Sequence, residues 1–324
     1  MDKRDKPQWA LRILETPQEM EDVEGLQRVI WPGCETDVIP VHLLLTTAHN
    51  GGLVIGAYLG KSYAEAQPPT DSSRGLPSTM IGFLFGFPGL YTDQAGWHLK
   101  HCSHQLGVHP DYRNAGLGFA LKRAQWQMVR RQGINLITWT FDPLLSLNAH
   151  LNFTRLGVVC HTYLREVYGE MRDELNIGLP SDRFQVDWWL NSHRVKRRLS
   201  RRLRKPLDLA HFLSAGAEIL NPTFLNPGGL PQASEEVDLG RLQSSPKNLL
   251  LVEIPPDYQQ LKKADRNLAF EWRLHTRDLF ETLFRLGYLV IDFVYLSGST
   301  PRSFYVLASE KSSLSGLIEE DEPS

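Results

Sequence analysis

The stretch HQLGVHPDYRNAGLGFALKRAQWQMVRRQG, from His104 to Gly133, decides the fold predicted for this chain. An extended apolar run starts near Trp97 and ends at Val108, and His109-Pro110-Asp111 then breaks it. A helix follows, because the next apolar residues fall at helical spacing and a glycine stands where the helix should stop. Those apolar residues are Leu117, Ala120, Leu121, Ala124 and Met128.

The junction between this strand and this helix has the chemistry of an anion site. A helix N-terminus carries unpaired N–H groups and the positive end of the helix dipole. Glycines there let a phosphate approach the backbone closely, and Gly116 and Gly118 are so placed, with Arg113 adding a full charge. The spacing matches neither the nucleotide-triphosphate loop nor the GxGxxG dinucleotide fingerprint.

The segment VHPDYRNAGLG fits the pattern (R/Q)xxGxG/A after a strand and resembles the coenzyme-A loop of the GNAT acetyltransferase superfamily. The resemblance implies acetyl-CoA as cosubstrate, its pyrophosphate on the loop amides and its pantetheine arm along the strand. It also implies two matching positions on a later helix. The implied cofactor-binding residues are Leu106, Gly107, Val108, Arg113, Asn114, Ala115, Gly116, Leu117, Gly118, Asn148 and Phe153.

The order of predicted elements over residues 8–190 is that of a GNAT domain: β, α, α, β, β, β, α, β, α, β, β. We therefore expect an α+β fold with a mixed, mainly antiparallel sheet flanked by helices. The predicted domains are 1–190, a basic helical connector 191–206, a smaller α+β unit 207–310 and an acidic disordered tail 311–324. The residues Asn221 to Ser245 are expected to form a loop.

The C-terminal unit carries LFRLGY before a strand, and the first domain has NFTRLGV at a similar junction. This likeness raises the hypothesis that the C-terminal unit repeats half of the GNAT fold without the pyrophosphate loop. A common helix-to-strand connection with a glycine cap explains the same letters equally well.

His104 is the first candidate for the general base. A regular strand places it on the same face as Leu106 and Val108, and its ordinary pKa near neutrality suits proton removal. Serotonin-type acetyltransferases carry a histidine at the matching place, although the second histidine of that pair corresponds here to Cys102. His98 and His101 are weaker alternatives, and His101 is expected on the opposite face. A core histidine is the competing interpretation of His104.

The general acid departs from the family pattern. Many GNAT enzymes have a tyrosine four residues before the glycine that ends the last helix, and counting back from Gly157 gives Phe153. The usual asparagine position holds Ser146, with Asn148 nearby. Tyr163 or Tyr168 could serve as the general acid instead. Alternatively, the thiolate leaves without an acid, because a thiol pKa of about 8.5 permits its departure near neutral pH. Phe153 also keeps open a non-catalytic acyl-CoA-binding module that docks a partner through its C-terminal unit.

Two further sets of residues have alternative interpretations. Asp142 could hold a cationic amine, but before Pro143 it is better explained as a turn residue. Four aromatic residues are expected in the core or at a cleft wall rather than in a binding box. They are Trp139, Phe141, Trp188 and Trp189.

Composition bounds the class of protein. The apolar content of 42% is sufficient for a real core, and the net charge of −2 gives no global attraction to nucleic acid or anionic membrane. Cys34, Cys102 and Cys160 form neither a metal spacing nor a disulfide framework, which favours a cytoplasmic protein without a metal. We expect a small-molecule or peptide amine as partner, with no nucleic acid and no membrane.

The basic run RVKRRLSRRLRK, from Arg194 to Lys205, allows two interpretations. It could contact nucleic acid or phosphate. We favour a helix packed by its apolar stripe of Val195, Leu199 and Leu203, because the rest of the chain offsets its charge.

Overall fold

A computed structural model describes residues 8–33, 35–60, 80–169, 178–200, 206–234 and 237–309. These residues fall into two compact units, divided between Thr138 and Trp139 within one strand. The domain limits predicted from the sequence, 1–190, 191–206 and 207–310, do not coincide with this division and remain predictions. Cys34 and the predicted acidic tail, 311–324, lie outside the described residues.

The first unit is a β-sheet with helices on both of its faces. Its elements are β1 Trp9–Ile13, α1 Pro17–Ile30, α2 Val41–His49, β2 Leu53–Leu59, β3 Met80–Asp93, β4 Gly96–Val108, α3 Leu117–Arg131 and the start of β5 Leu136–Phe141. The strand order is β1-β2-β3-β4-β5. The first four strands pair antiparallel, and β4 and β5 pair parallel.

Local sequence explains how α1 begins and what it buries. Thr16 is its N-cap, and Glu19 completes a capping box in which the Thr16 N–H donates to the Glu19 carboxylate at 3.1 Å. Met20, Val23 and Leu26 then lie on one face and pack in a core with strand residues. The helix is therefore held both by its cap and by its apolar stripe.

The pairing of β3 with β4 contains an irregularity that matters for the site. Phe85 pairs with Gln105 but Gly86 pairs with Ser103, so His104 is the extra residue of a β-bulge. The extra residue of a bulge has no partner of its own on the neighbouring strand. Side-chain alternation after the bulge is therefore offset by one residue from the alternation before it. The alternation of β4 therefore does not continue unbroken from His101 to Val108.

The second unit contains the remaining helices and strands. Its elements are α4 Ser146–Ala149, a π-helical continuation His150–Leu156, β6 Val159–Leu164, β7 Arg183–Trp189, α5 His193–Leu199, α6 Leu209–Ser214, β8 Glu218–Ile219, β9 Thr223–Leu225, β10 Pro231–Ala233, α7 Gly240–Ser244, β11 Leu249–Ile254, α8 Tyr258–Ala264, α9 Arg266–Arg285, β12 Tyr288–Leu296 and β13 Arg302–Ser309. Beside β5, the strand order is β7-β6-β12-β13-β11-β8.

A cluster of aromatic rings fills the centre of this unit. Phe184 lies 4.7 Å from Phe280 and 5.4 Å from Tyr305 between ring centroids, and Phe153 lies 5.6 Å from Tyr305. Edge-to-face contacts of this kind add to the free energy gained from apolar burial. Residues 139–190 and 249–309 therefore share one core.

Most predicted elements are confirmed, and the α+β class with a mainly antiparallel sheet is confirmed with them. The residues predicted as a loop from Asn221 to Ser245 instead include the β9–β10 pair and the short helix α7. That prediction was wrong because the segment's glycines, prolines and asparagines mark turns between strands too short to show a period. In the described part of the chain, no helix combines the length and apolar character needed to cross a membrane.

Candidate functional site

The loop before α3 has the features of an anion cradle. Asn114 and Gly116 both adopt left-handed backbone conformations, with φ of 64° and 93°. Gly116 is the N-cap of α3, and no side chain of the described residues caps the helix there. No described atom lies within 4 Å of the point where a Cβ of Gly116 would stand. The N-terminus of α3 is thus without a capping side-chain oxygen from the described residues, and the space beside Gly116 is open, as an anion site at a helix start requires.

Arg113 lies at the entrance of this loop. Its side chain is exposed and its Nε donates to the Val108 carbonyl at 3.4 Å, which connects the loop to the end of β4. Ala115 and Gly118 complete the segment, and Leu117 is buried and anchors the first turn of α3. The predicted loop residues are thus brought together on one strand-to-helix junction.

The C-terminal part of β4 extends past the residues that pair with β5. Among the described residues, β4 pairs with β5 only at His101↔Ile137 and Cys102↔Thr138, whereas β4 extends to Val108. The backbone of Leu106, Gly107 and Val108 therefore lies past this ladder. Packing also favours glycine at position 107, because a Cβ there would come within 2.6 Å of the Ile30 and Phe83 side chains.

His104 lines a cavity between α2 and the strands β3 and β4. The cavity has a volume of about 550 Å³. Its lining residues are Ile39, Leu43, Thr46, Thr47, Asn50, Phe85, Phe87, Pro88 and His104. The His104 ring lies 5.9 Å from the rings of both Phe85 and Phe87. Partial burial against these rings lowers the pKa of His104, so the neutral imidazole dominates at neutral pH.

The expectation that His104 shares a face with Leu106 and Val108 was wrong. Val108 pairs with Gly82, whose Cβ position faces Leu117 and Leu121 of α3. His104 instead faces the α2 side with Phe85, because the bulge shifts the alternation by one residue. Its opposition to His101 is confirmed, because His101 lies before the bulge on the α3 side. A bulge of this kind has no local sequence signal, so alternation alone misplaced the residue.

On the α3 face of β4, sequence reasoning missed a buried polar cluster. Lys122 Nζ donates to Ser103 Oγ at 2.8 Å and to Gln125 Oε1 at 3.3 Å, and all three side chains are buried. His101 is fully buried, and neither ring nitrogen has a hydrogen-bond partner among the described residues. Burial, with Lys122 nearby, lowers the pKa of His101 to about 4. Burial also lowers the pKa of Lys122 well below its usual value.

Two predicted cofactor contacts lie in the second unit. Phe153 is fully buried, with its ring in contact with Phe141 and Tyr305. A side chain without exposed surface is not available to a ligand, and we leave Phe153 out of the proposed site. Asn148 is exposed on α4, while Ser146 is buried and donates to the Pro255 carbonyl at 3.1 Å.

The substitutes considered for a general acid already have partners. Tyr163 donates to Asp182 at 2.9 Å, and burial raises the pKa of its hydroxyl. Tyr168 is exposed and its hydroxyl lies 2.8 Å from Thr140 Oγ1. Neither contact by itself indicates proton transfer to a ligand.

Asp142 has the structural role that was favoured. Its carboxylate accepts from the Leu144 N–H at 2.9 Å, as expected for a turn, and from Arg273 at 2.7 Å. The Arg273 guanidinium and these hydrogen bonds hold the pKa of Asp142 low despite its burial. Arg273 occupies this carboxylate, so an incoming amine would have to displace a buried ion pair.

The aromatic residues also behave as core residues. Trp188 is fully buried and its ring lies 5.7 Å from that of Trp139. Phe141 contacts Phe184, and Trp189 packs against the apolar core around β12 and β13. Phe141 and Trp188 are therefore core residues, and Trp139 and Trp189 are partly buried at the border of the core.

Three solved acetyltransferase structures have a fold similar to part of this chain. A GNAT-family acetyltransferase from Streptococcus pneumoniae matches at 13% identity, over 56% of this chain and 98% of its own, with a TM-score of 0.38. Arabidopsis thaliana NAA60 in complex with acetyl-CoA matches at 16% identity, over 56% and 99%, with a TM-score of 0.41.

A third match is the ribosomal-protein-S18-alanine N-acetyltransferase from Escherichia coli, at 13% identity over 61% of this chain and 99% of its own, with a TM-score of 0.38. No family model and no curated protein matches the sequence. At these identities and TM-scores, the similarity concerns the fold alone and assigns no activity to the chain and no role to any residue.

Proposed function

We propose that this protein is a coenzyme-A-dependent N-acyltransferase of GNAT type that transfers an acyl group, most simply acetyl, to a primary amine. The observation that carries the proposal is the glycine-rich start of α3, which no side chain of the described residues caps. It follows a loop in which Asn114 and Gly116 are left-handed and Gly116 has open space around it. Backbone amides in such a loop form a concave anion site, and Arg113 adds a cation for a second phosphate oxygen.

The residues present fit a pyrophosphate and its extended arm. Leu117 and Gly118 contribute the first helix amides, and Ala115 contributes the loop between them and Arg113. The β4 backbone from Leu106 to Val108 lies past the ladder with β5 and has polar groups with which an extended amide chain would pair. Asn148 remains a proposed contact from the sequence alone. When bound, acyl-CoA would supply the thioester whose acyl carbon the amine attacks.

His104 is the proposed base. Its lowered pKa keeps the imidazole neutral at pH 7, so it can accept the proton that the attacking nitrogen loses. The new bond is N–C, the broken bond is C–S, and the thiolate carries away the electron pair. A leaving thiol of pKa about 8.5 needs no dedicated acid near neutral pH, so Phe153 is compatible with turnover.

The test is a calorimetric titration with coenzyme A. Gly116→Val forces a β-branched residue into a left-handed conformation and places its side chain in the cradle, so binding should be lost. Gly133→Val is the matched control: Gly133 has a φ of 75°, open surroundings and a position just after α3. It should lose similar stability and keep its affinity.

Equal affinity in wild type and Gly116→Val would overturn the assignment of the loop. A screen of amine acceptors with thiol release as the readout then separates an enzyme from a protein that only binds acyl-CoA. Binding without release from any acceptor would favour the binding module. The amine partner and a cytoplasmic location stay proposals.

A further inference from the structure

We propose that the cavity beside His104 binds the acceptor, and that this acceptor is a primary amine carrying an aryl or alkyl group. The inference rests on the proposed acyl transfer and names its substrate class. The cavity is formed by α2, β3 and the bulge of β4, all within the first unit. Its volume of about 550 Å³ lies in the range typical of small-molecule sites.

The chemistry of the lining selects for apolar groups. Five of the nine lining residues are apolar, and Phe85 and Phe87 present ring surfaces on one wall. The polar lining side chains Thr46, Thr47 and Asn50 are neutral. An aryl or alkyl group buried there would be removed from water, which favours its binding.

The same lining excludes strongly charged acceptors. None of the nine described lining residues is an aspartate, glutamate, lysine or arginine. A polyamine would leave a second ammonium group without a carboxylate partner, at the cost of its hydration. Asp142, the acidic residue considered for this role, is occupied by Arg273.

The position of the reacting nitrogen follows from the position of the base. His104 is the lining residue that can exchange a proton near neutral pH, and Phe85 and Phe87 flank its ring. The amine must therefore reach His104 while its apolar group lies among the Phe and α2 side chains. The bulge makes this possible, because without it His104 would face α3 instead.

The experiment compares acceptors in a thiol-release assay. We expect 2-phenylethylamine and hexylamine to exceed spermidine and ethanolamine at least tenfold in kcat/KM. Thr46→Trp fills the cavity from an exposed position on α2 and should raise KM for 2-phenylethylamine at least tenfold without changing coenzyme-A affinity. His49→Trp is the control, on the same helix, exposed and outside the lining.

Spermidine as the better substrate, or equal effects of the two tryptophan variants, would overturn the acceptor class while leaving acyl transfer intact. If no amine is turned over, calorimetry with 2-phenylethylamine tests whether the cavity binds this class of amine. Binding lost in Thr46→Trp but kept in His49→Trp supports the ligand class and overturns the proposed enzyme, whereas no binding overturns both.

Strand pairings carry a second, independent inference. We infer that residues 218–309 repeat the set β4 to β7, and that Asn221 closes the edge equivalent to the proposed cofactor edge of β4. In these sets, β5 and β11 are each followed by a helical segment and two further strands, and the last of these strands lies between the other two in the sheet. The orders are β5-β7-β6 and β11-β13-β12.

The pairing of β6 with β12 is consistent with a pseudo-twofold axis between these two strands of the second unit. The two helices end within Arg155-Leu156-Gly157 and Arg285-Leu286-Gly287, and both glycines have a φ of 79°. Three residues after each glycine stand Cys160 and Val290, which pair with each other in the antiparallel contact of β6 and β12. Pairing of equivalent residues is what a twofold axis produces.

The same equivalence extends to the parallel partner strand. The second and third residues of β5 pair with β4, and the second and third residues of β11, Leu250 and Leu251, pair with β8. Beyond β8, the fully buried Asn221 accepts from the Glu253 N–H at 2.8 Å and donates to the Glu253 carbonyl at 2.9 Å. Its side-chain amide takes the place of a strand residue, so this edge has no free backbone groups at Glu253.

Two measurements test the repeat. Val290→Cys places a thiol opposite Cys160, so diamide oxidation should form an intramolecular disulfide, which Leu289→Cys on the opposite strand face should not form. Coenzyme-A titration of the wild type should give one site per chain, and Gly116→Val should leave none. No disulfide in Val290→Cys, or two sites per chain, would overturn the inference.

Discussion

At the scale of single residues, His104 tests the proposed chemistry. His104→Gln keeps a similar volume but removes the titratable nitrogen, so turnover should fall about a hundred- to ten-thousand-fold. Because burial lowers the pKa of His104, the wild-type rate should decline on the acid side with a midpoint below about 6.5. That limb should vanish in the variant, and coenzyme-A affinity should stay unchanged.

His98→Gln is the control for this measurement. His98 lies on the same strand, is partly exposed, and pairs with Asp93 at 2.9 Å outside the cavity lining. It should leave both the rate and the pH profile unaltered. If His104→Gln retains the wild-type rate and acid limb, His104 is not the base; if circular dichroism shows unfolding, His104 is a structural residue.

His101 leads to a prediction about stability. Its pKa of about 4 in the folded protein lies below the reference value of 6.5, so the unfolded chain takes up the proton first. The stabilisation is present above pH 6.5 and is lost as the pH falls toward 4, by on the order of 3 kcal/mol. His101→Leu should weaken this loss when the free energies of unfolding at pH 7 and pH 4.5 are compared. Identical pH dependence in both proteins would contradict it.

At the scale of elements, α5 explains the basic run. Val195 and Leu199 are buried, which confirms the packing interpretation for them; Leu203 lies outside the described residues. Two arginines also pack inward over Gly157. Arg194 is buried and its Nε donates to the Gly157 carbonyl at 3.0 Å, while Arg198 pairs with Asp292 of β12. Two of the basic residues in the run, Arg194 and Arg198, therefore have packing partners within the second unit.

A double-mutant cycle of Arg198→Ala and Asp292→Ala checks the contribution of this pair. A partly buried pair should give a coupling free energy of about 1 to 3 kcal/mol by denaturant unfolding. Arg197→Ala, at an exposed position of the same helix, should change stability by less than about 0.5 kcal/mol. A coupling near zero would mean that the pair does not stabilise α5 on the unit.

At the scale of the whole molecule, the predicted 1–190 domain should not fold by itself. Residues 139–190 share their aromatic core with β13 and α9, and Arg277 holds Asp182 through two hydrogen bonds of 2.8 and 2.9 Å. Truncation after Leu190 exposes these groups and should give an aggregating or unfolded product by circular dichroism and size-exclusion chromatography.

Removal of 311–324 is the control, because this tail is predicted from composition to be disordered and its loss leaves the described contacts in place. A cooperative thermal transition in 1–190, similar to that of the control, would show that the C-terminal residues are an appended module.

The sequence by itself determined the junction of strand, glycine loop and helix, and through it the class of fold. Those features are local: apolar period, strand breakers and glycines at a helix start act over a few residues. The same local logic predicted the turn at Asp142 and the cap at Gly133. It also raised the half-repeat, because the RLG motif recurs.

Only the tertiary structure decided the face of His104, the burial of Phe153 and His101, and the common core of residues 139–190 and 249–309. Each depends on pairings between residues far apart in the chain. The bulge at His104 depends on the register of β4 with β3. The contact between Phe153 and Tyr305 joins residues that lie far apart in the sequence. Alternation within one strand contains no information about such partners, so the cavity beside His104 could be found only in the folded structure.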